Sequence, residues 1–432
     1  MSFRQRFVIL KSTQRPGLFT GDLMLQRLWL SFFLIAFSAA LYQWLWLDDS
    51  GVFQRLVQTT FDMSKLSVEL AIGLIGTLAF WLGMMKLAES SGLVDKFARG
   101  VSPLFTRLMP EVPKGHPALG SITMNLSANI IGLDNAATPL GLKAMRDLQT
   151  LNPQKDTASN AQILFLVLNT SSVTLFPITV FLYRAQQGAS DPTSVFIPIL
   201  IATCCSTLAG LLAVSFVQKI RLWERITLLY IGGFIAFLLA FIGYFTTLTV
   251  DELQRQSSLV GNFMIFSAII SFLLISHFKQ VNIYETFIEG AKEGFEVAVK
   301  IIPYLLAMLV AIGVLRESGA LEGFIWLLRE GLGALGFDTR FADALPTAIM
   351  KPLSGSGARA MMLETMNTHG VDSFPAYLAS VIQGSTETTF YVLAVYFGSV
   401  GIRHTRHAIA CGLTADLAGI IAAITVGYWF FG

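Results

Sequence analysis

Two short runs of hydrogen-bonding side chains interrupt apolar stretches of this 432-residue chain. The first, Asn169-Thr-Ser-Ser-Val-Thr174, lies within the stretch 159–183, and the second, Gln383-Gly-Ser-Thr-Glu-Thr388, lies within 374–397. Polar groups at membrane depth are costly, so they are candidates for function by default. Because hydroxyl and amide groups can bond a polar solute one group at a time, the two runs predict a reversible binding site.

Two further segments, 116–148 and 342–368, contain the other candidate solute-binding residues. Each is moderately apolar, too long for one helix, and interrupted halfway by small and polar residues. An interrupted helix presents free N–H groups and a positive dipole end to an anion, and free carbonyls to a cation. The predicted solute-binding residues are Asn129, Asp134, Asn135, Asn169, Thr170, Ser171, Ser172, Ser354, Ser356, Arg359, Gln383, Ser385, Thr386, Glu387 and Thr388.

Three carboxylates in these regions are candidates for holding a coupling ion: Glu387, Asp416 and Asp134. Glu387 is expected to be buried within a span, where an unpaired carboxylate would hold a proton more readily. An ion pair with Lys351 or Arg359 is the alternative for this glutamate. For Asp416 a structural salt bridge competes with a transport role, and the serines and threonines could instead bond the preceding helical turn.

Other chemistries find no support in the residues. Lys and Arg total 30 against 28 Asp and Glu, a balance that leaves no electrostatic footprint for nucleic acid. The three cysteines lack the spacing of a zinc or redox site. The phosphate-binding, zinc-protease and serine-hydrolase motifs that an enzyme would carry are missing from the sequence. We therefore expect no enzyme activity, no cofactor and no metal centre.

The composition places the protein in a membrane, since 54% of its residues are apolar and 13% are charged. A soluble domain carries about 25% charged residues. About 20 apolar residues cross a bilayer as one helix, which predicts an all-α polytopic membrane protein with about nine transmembrane helices. The predicted spans are 29–47, 66–86, 159–183, 194–217, 226–248, 258–277, 299–315, 374–397 and 407–430.

Segments 116–148 and 342–368 are predicted to be re-entrant helical hairpins, because non-helical backbone at membrane depth needs protein or a wet cavity around it. Amphipathic stretches at 92–108, 281–297 and 320–335 are expected at the interface. Most basic residues then fall on one side of the membrane, which predicts a cytoplasmic N-terminus and a periplasmic C-terminus.

The chain contains an internal repeat. The segment 87–93 is echoed by 315–321, Leu126-Ser127 by Leu353-Ser354, the first polar run by the second, and 207–210 by 416–419. Five crossings separate equivalent points, so the second copy is predicted to be inverted, as in secondary transporters. The predicted parts are an N-terminal segment with the first span (1–65), repeat 1 (66–217), two linking spans (218–280) and repeat 2 (281–432).

Longer stretches resemble known families. The runs at 124–149 and 165–177 resemble spore maturation protein A, and those at 301–321, 351–364 and 381–408 resemble spore maturation protein B. Over roughly 66–217 and 280–430 the chain is thus similar to a fusion of the two, each with the nucleoside-recognition or gate domain also found in concentrative nucleoside transporters. The resemblance implies a transporter-type protein of the bacterial inner membrane, and hairpins and broken helices that line a site.

The sequence predicts a secondary transporter of a small polar solute, which could be nucleoside-like, an amino acid or an organic anion. Transport would be coupled to protons or sodium ions and would use alternating access around the hairpins and broken helices. The alternative is a non-transporting membrane scaffold or assembly factor in spore or envelope maturation. Expected partners are the solute, the coupling ion and the lipid bilayer, and a homo-oligomer is left open.

Overall fold

Long helices and paired short helices make up the structure, a computed structural model that describes residues 20–132, 134–336 and 338–432. The side chains of 20–25 and 134–136 are outside this description. Within the described ranges every regular element is a helix. The predicted all-α polytopic membrane fold is therefore confirmed.

The first half of the molecule follows an N-terminal helix, α1 (Thr20–Trp46). It begins with a long helix and ends with a helix of membrane-spanning length. Five shorter helices lie between them. Its elements are α2 (Val52–Ser90), α3 (Leu93–Leu108), α4 (Pro117–Ile131), α5 (Asp134–Leu151), α6 (Asn160–Thr170), α7 (Ile178–Gln186) and α8 (Phe196–Gln218).

Two linking helices, α9 (Arg225–Phe245) and α10 (Val250–Phe278), lead to a second half with the same order of elements. Its elements are α11 (Ile283–Glu317), α12 (Ala320–Ala334), a 3-10 helix (Arg340–Ala344), α13 (Leu345–Met350), α14 (Gly355–His369), α15 (Phe374–Ser385), α16 (Thr389–Ser399) and α17 (Ala408–Phe431). The boundaries 66–217 and 281–432 stay predictions, and α2 already begins at Val52.

Seven of the described helices are long and apolar enough to cross a membrane: the helix from Gln26 to Trp46 within α1, and α2, α8, α9, α10, α11 and α17. The remaining two predicted spans, 159–183 and 374–397, are each broken into two short helices, α6 with α7 and α15 with α16. Both re-entrant segments are helix pairs as well, α4 with α5 and α13 with α14. The predicted broken helices and helical hairpins are thus present in both halves.

One helix joins two stretches that the sequence analysis treated separately. The amphipathic stretch 281–297, from Ile283 onward, and the predicted span 299–315 both belong to α11, which runs unbroken through 35 residues. Its partner α2 is similarly long, at 39 residues. The two long helices pack against each other along most of their length. This contact stabilises the helical turns outside the apolar windows that hydropathy detects.

The contacts between α2 and α11 show that the halves run in opposite directions. Gly83 of α2 faces Phe287, where a Cβ would lie 2.6 Å from the ring. Further along α11, Gly294 faces Ala79 and Gly313 faces Met63. The numbers rise in one helix as they fall in the other, so the helices are antiparallel. Small residues at such crossings let helix backbones approach closely in membranes.

The last helices of the two halves repeat this arrangement. Gly210 of α8 lies against Ala415 of α17, while Gly419 lies against Ser206. The Ser206 hydroxyl also donates to the carbonyl oxygen of Ala415 at 3.0 Å. Both pairs of equivalent helices are therefore antiparallel, which confirms the predicted inversion of the second copy.

The outer surface is apolar. Phe216 is 86% exposed, Leu229 73% and Phe263 67%, and each lies on a helix of membrane-spanning length. Soluble proteins rarely expose large contiguous apolar areas. The buried interior, by contrast, holds the hairpins and the broken helices, where most of the predicted site residues are found.

Candidate functional site

The breaks in the two interrupted helices meet at the centre of the molecule. Helix α6 ends at Thr170 and α15 ends at Ser385. The backbone N–H of Glu387, just after the second break, donates to the carbonyl oxygen of Thr170 at 2.8 Å. The Thr207 hydroxyl of α8 donates to the Ser171 carbonyl oxygen in the first break. The two polar runs are thus brought into direct contact across the halves.

Each break is also bonded to the hairpin of its own half. In the first half the Leu175 N–H donates to the Ile130 carbonyl oxygen at 2.8 Å. In the second half the Phe390 N–H donates to the Pro352 carbonyl oxygen at 3.0 Å. Both bonds link the residues after the break to the end of the hairpin's first helix. The same construction therefore holds both hairpins at the centre.

Local sequence explains why these helices stop and restart. A capping box formed by Ser159 and Gln162 starts α6, and Pro177 immediately precedes α7. In the hairpins, Gly132 ends α4 with φ 84°, a conformation that favours glycine. Ser354 caps α14 by accepting a hydrogen bond from the Gly357 N–H at 3.1 Å. These caps satisfy backbone groups that would otherwise be unpaired at membrane depth.

The amides predicted in the first half bond to each other. Asn129 donates from Nδ2 to Oδ1 of Asn169 at 2.7 Å, and Asn169 donates to the Phe165 carbonyl oxygen at 2.8 Å. Tyr396 of α16 lies 3.4 Å from the same Asn169 oxygen and stacks on Phe165 at 5.7 Å between ring centroids. It also lies 3.4 Å from Nδ2 of Asn125. Sequence reasoning missed Tyr396, because a tyrosine in an apolar helix gives no sign of its cross-half partners.

The hydroxyls around the first break mostly bond their own helix. Thr170 and Ser171 both donate to the Val167 carbonyl oxygen, at 3.0 and 2.8 Å. Ser385 in the second half donates to Ile382 in the same way, at 2.8 Å. Ser172, the next hydroxyl of the first run, is also buried, at 7% exposure. Three of the predicted binding hydroxyls therefore make the structural bonds that the alternative interpretation expected.

Side chains at the second break differ in direction. Thr386 and Thr388 are buried, at 4% and 5% exposure, whereas Glu387 between them is exposed. The expectation of a buried Glu387 is therefore wrong. The reason is that the break is extended at Thr386, with φ −147° and ψ 173°. Successive side chains of an extended segment point to opposite sides, so burial of the two threonines turns the glutamate outward.

Asp416 is the carboxylate that lies inside. It is 1% exposed, and its Oδ2 accepts a hydrogen bond from the Thr389 hydroxyl at 2.7 Å. The charge of Lys351, itself 4% exposed, acts on this carboxylate. Within the described part of the chain, buried oxygen atoms of Asp416 (Oδ1), Thr386 and Gln383 have no hydrogen-bond partner. The second half thus contains a buried, partly unsatisfied oxygen-rich region beside the break.

The other predicted residues divide between the two hairpins. Ser354 and Ser356 lie 3.1 Å apart through their hydroxyl oxygens at the start of α14. The side chains of Asp134 and Asn135 lie outside the described residues. Among the residues that the structure describes, no group of three or more His, Cys, Asp or Glu side chains could hold a metal ion.

A cavity of about 220 Å³ lies between the halves beside this centre. Gly132 at the first hairpin's turn and the start of α7 contribute to its wall from the first half. Arg359 of the second hairpin also lines it, and is the predicted binding residue found there. The remaining walls come from α2 and from the middle of α11. The apolar side chains of the whole lining, including two from α7, are Leu74, Leu78, Trp81, Leu82, Met85, Ile178, Leu182, Val297 and Ile301.

A second space, of about 370 Å³, lies at one end of the molecule. It is surrounded by the loop between α5 and α6, the first residues of α6, Glu111 and Arg406. None of the predicted binding residues lines it. We therefore place the candidate site at the central cavity, where a hairpin turn, a helix break and a hairpin side chain meet.

Cross-half contacts close both ends of the molecule. At one end, Arg184 of α7 donates to Asp372 at 3.2 Å and to the Val371 carbonyl oxygen at 3.2 Å. Asp372 also accepts from the Ser190 N–H at 3.0 Å. We name these contacts the Arg184 clasp. Sequence reasoning missed Arg184, although a lone arginine in the apolar segment ITVFLYRAQ was a signal.

The other end has the equivalent contact with the halves exchanged. The Asp156 carbonyl oxygen accepts from the N–H groups of Arg403 and His404, at 2.7 and 2.9 Å. The carboxylate of Asp156 lies 3.9 Å from the His404 ring. We name these contacts the Asp156 clasp. In each clasp, the loop after a hairpin binds the loop or helix end after the broken helix of the other half.

Fold and site define a polytopic membrane protein with two inverted halves, each carrying a hairpin and a broken helix. The family described as "Gate: Nucleoside recognition" matches residues 71–186 and 298–403, one segment in each half. The chain belongs to this Gate family. The two matched segments contain both hairpins and both helix breaks.

Two relatives come from Bacillus subtilis (strain 168). Spore maturation protein B is 47% identical over 169 residues, which are 39% of this chain and 93% of the relative. Spore maturation protein A is 42% identical over 163 residues, which are 38% of this chain and 83% of the relative. The predicted resemblance to both families is thereby confirmed. No solved structure matches the chain significantly.

Proposed function

We propose that this protein is a secondary transporter of a small polar solute in the bacterial inner membrane, working by alternating access around the central cavity. The observation that carries the proposal is the meeting of inverted halves at their hairpins and helix breaks, beside a cavity. Discontinuous helices at a repeat interface are typical of transporter binding sites. The proposed topology has a cytoplasmic N-terminus and a periplasmic C-terminus, and no catalytic step is proposed.

The two clasps support alternating access. The Asp156 clasp lies where α6 begins, and the Arg184 clasp lies where α7 ends, so they stand at opposite ends of the broken helix. In the proposed topology the first is cytoplasmic and the second periplasmic. Opening one clasp while the other stays closed would connect the cavity to one side at a time.

Asp416 is the proposed coupling-ion residue. Its Oδ1 and the hydroxyl of Thr386 are buried oxygens next to each other, which suit either a proton or a hard cation such as Na⁺. The exposed Glu387 is a weaker candidate for this role, and Asp134 stays a sequence-based proposal. Ion binding at Asp416 would alter the contact of α17 with the break, since Thr389 is bonded to this carboxylate.

The experiment is solute uptake into proteoliposomes that contain the purified full-length protein. Uridine, alanine and benzoate serve as probes of the three solute classes, each tested with an imposed proton or sodium gradient. Accumulation of one probe that depends on the protein and on a gradient supports the proposal. If no probe of any class accumulates above protein-free liposomes, and none raises the melting temperature, the transport proposal fails.

A second candidate function is a membrane scaffold in spore or envelope maturation. The observation that favours it is the bonding of predicted site residues to each other, as in the 2.7 Å bond between Asn129 and Asn169. The names of the two Bacillus relatives, spore maturation proteins A and B, point in the same direction. A scaffold would need the contacts of the two breaks but not the cavity, so filling the cavity would leave its role unchanged.

A further inference from the structure

The central cavity combines apolar walls with a single guanidinium group. Among the described residues that line it, Arg359 alone carries a charge. The other polar groups that line it are few, namely the hydroxyls of Thr179 and Tyr183 and the indole N–H of Trp81. A cation in such surroundings is costly unless an anion pairs with it.

Arg359 is only partly satisfied by the protein. Its Nε donates to the Gly355 carbonyl oxygen at 3.2 Å, one turn earlier in α14. In the described part of the chain, its two terminal nitrogens have no hydrogen bond or ion pair. A guanidinium presents these nitrogens as a planar fork that matches a carboxylate with two parallel bonds. Among the described residues no anionic group pairs with these nitrogens, so the side chain can accept an anion from outside the protein.

A second group in the wall favours an anion. Thr179 is the second residue of α7, a nine-residue helix, and it lines the cavity at the helix's amino end. That end carries the positive side of the helix dipole. The N–H groups of Ile178, Val180 and Phe181 already donate to carbonyl oxygens of Phe176 and Pro177, and the Thr179 N–H has no such bond among the described residues. The Thr179 hydroxyl is a further donor. Two independent elements, one from each half, therefore offer positive potential to the same space.

Size and wall chemistry limit the occupant. The volume of about 220 Å³ is below the range of roughly 300–1,000 Å³ that holds drug-sized ligands. A nucleoside joins a base to a sugar with several hydroxyl groups that need partners, and most of the wall is leucine, isoleucine and valine, which offer none. A compact hydrocarbon or single ring bearing one carboxylate matches both the walls and the guanidinium.

We propose that the central cavity binds a small organic carboxylate with a compact apolar body, whose carboxylate pairs with Arg359. That such anions are also the solutes carried rests on the transport function proposed above. The anion would contact α7 of the first half and α14 of the second together. Its binding would thereby couple the positions of the two halves.

The test measures binding to the purified full-length protein by calorimetry and by thermal shift. The probes are benzoate and isovalerate, each paired with its uncharged amide, benzamide or isovaleramide. We expect at least one carboxylate to bind about tenfold or more tightly than its amide, since tenfold corresponds to about 1.4 kcal/mol of charge-dependent binding. If neither carboxylate binds more tightly than its amide, the inference is wrong.

Two variants and a control locate the binding. Arg359→Gln should weaken carboxylate binding to the level of the amide, and Leu78→Phe should block both ligands by filling the cavity. Arg221→Gln, on an exposed arginine outside the cavity, should bind as the unmodified protein does. Melting temperatures without ligand show that each variant is folded. Unchanged carboxylate binding in a folded Arg359→Gln protein would overturn the assignment.

The binding and uptake experiments also distinguish a site for lipid acyl chains, and a failure of the transport proposal, from the inference itself. If laurate binds more tightly than benzoate and displaces it, the site is for lipid acyl chains and the inference is wrong. If carboxylates bind through Arg359 but are not taken up by proteoliposomes, the binding site stands and the transport proposal fails. If a neutral solute is transported while no carboxylate binds, transport stands and the inference fails.

Discussion

Arg184 of the first half and Asp372 of the second half form an ion pair across the inverted repeat, with 3.2 Å between Nη2 and Oδ1. The arginine side chain is fully buried, and its guanidinium also lies 4.4 Å from the centre of the Tyr377 ring. Asp156 holds the equivalent place at the opposite end, but its contacts to Arg403 and His404 are mainly backbone bonds. The two clasps occupy equivalent positions, but only the Arg184 clasp contains a buried charge.

This difference predicts unequal effects of removing the two aspartates. Asp372→Ala leaves the buried Arg184 without its carboxylate, which should lower the free energy of unfolding by about 1–3 kcal/mol. Asp156→Ala is the matched control, because its carboxylate and the His404 ring are both exposed and such pairs contribute little. Thermal unfolding in detergent measures both. Equal melting temperatures for the two variants would contradict the special role of the Arg184 clasp.

The Arg184 clasp should also depend on pH. Burial alone would raise the pKa of Asp372, but the Ser190 backbone N–H and the Arg184 charge bring it below the ordinary 3.8. A carboxyl group with a lower pKa in the folded state stabilises that state above its unfolded pKa, and the contribution disappears as pH falls through the folded pKa.

The measurement for this pH dependence is the difference in melting temperature between the unmodified protein and Asp372→Asn. It should be constant from pH 7 to about pH 5 and shrink below about pH 4. A difference that persists undiminished at about pH 3 would show that the carboxylate charge does not stabilise the clasp.

Close packing of α2 on α11 should make one glycine sensitive and another tolerant. A Cβ at Gly83 would lie 2.6 Å from the Phe287 ring and 2.9 Å from its backbone oxygen, whereas a Cβ at Gly76 would meet nothing within 4 Å. Gly83→Ala should therefore separate the helices and lower the melting temperature. Gly76→Ala, in the same helix, should leave it unchanged or raise it, since alanine favours helix. The reverse order would contradict the packing described.

Neutralising Asp416 should uncouple transport from the ion gradient. In Asp416→Asn the amide oxygen can still accept the Thr389 hydrogen bond, but the buried Lys351 loses a nearby negative charge, so the melting temperature of the variant is measured to show that it is folded. We expect gradient-driven accumulation of the transported probe to be lost, while exchange of that probe across the membrane without a gradient remains. The comparison variant is Glu387→Gln, whose side chain is exposed and whose accumulation should be closer to normal. Loss of accumulation in Glu387→Gln alone would transfer the coupling role to that residue.

Much of the fold could be predicted from the sequence, because hydropathy and internal similarity report on whole elements. Interruptions of apolar sequence by small and polar residues located both hairpins and both helix breaks. The length of α11 could not be predicted in this way. Its first turns, from 283 to 297, contain charged residues and are helical because they pack on α2.

The site was less predictable because it depends on directions of single side chains. Glu387 and Thr386 are neighbours in a polar run, yet the extended backbone turns one outward and the other inward. Tyr396 and Arg184 bond residues of the other half, far away in sequence, and neither contact leaves a local pattern. Arg359 was predicted as a binding residue, but the apolar cavity beside it could be seen only in three dimensions.

The most direct test of alternating access is chemical labelling of the cavity from each side of the membrane. A Thr179→Cys protein is prepared with Cys204, Cys205 and Cys411 replaced by serine or alanine, and is inserted in one orientation into liposomes. Ser190→Cys, in an exposed loop, should be labelled from one side only, and Ala423→Cys, fully buried, from neither.

We predict that an impermeant thiol reagent labels Thr179→Cys when added to the outside and also when enclosed inside. This result requires that the cavity opens in turn to both sides. Labelling from neither side, while Ser190→Cys reacts as expected, would show a closed interior and contradict transport by this protein.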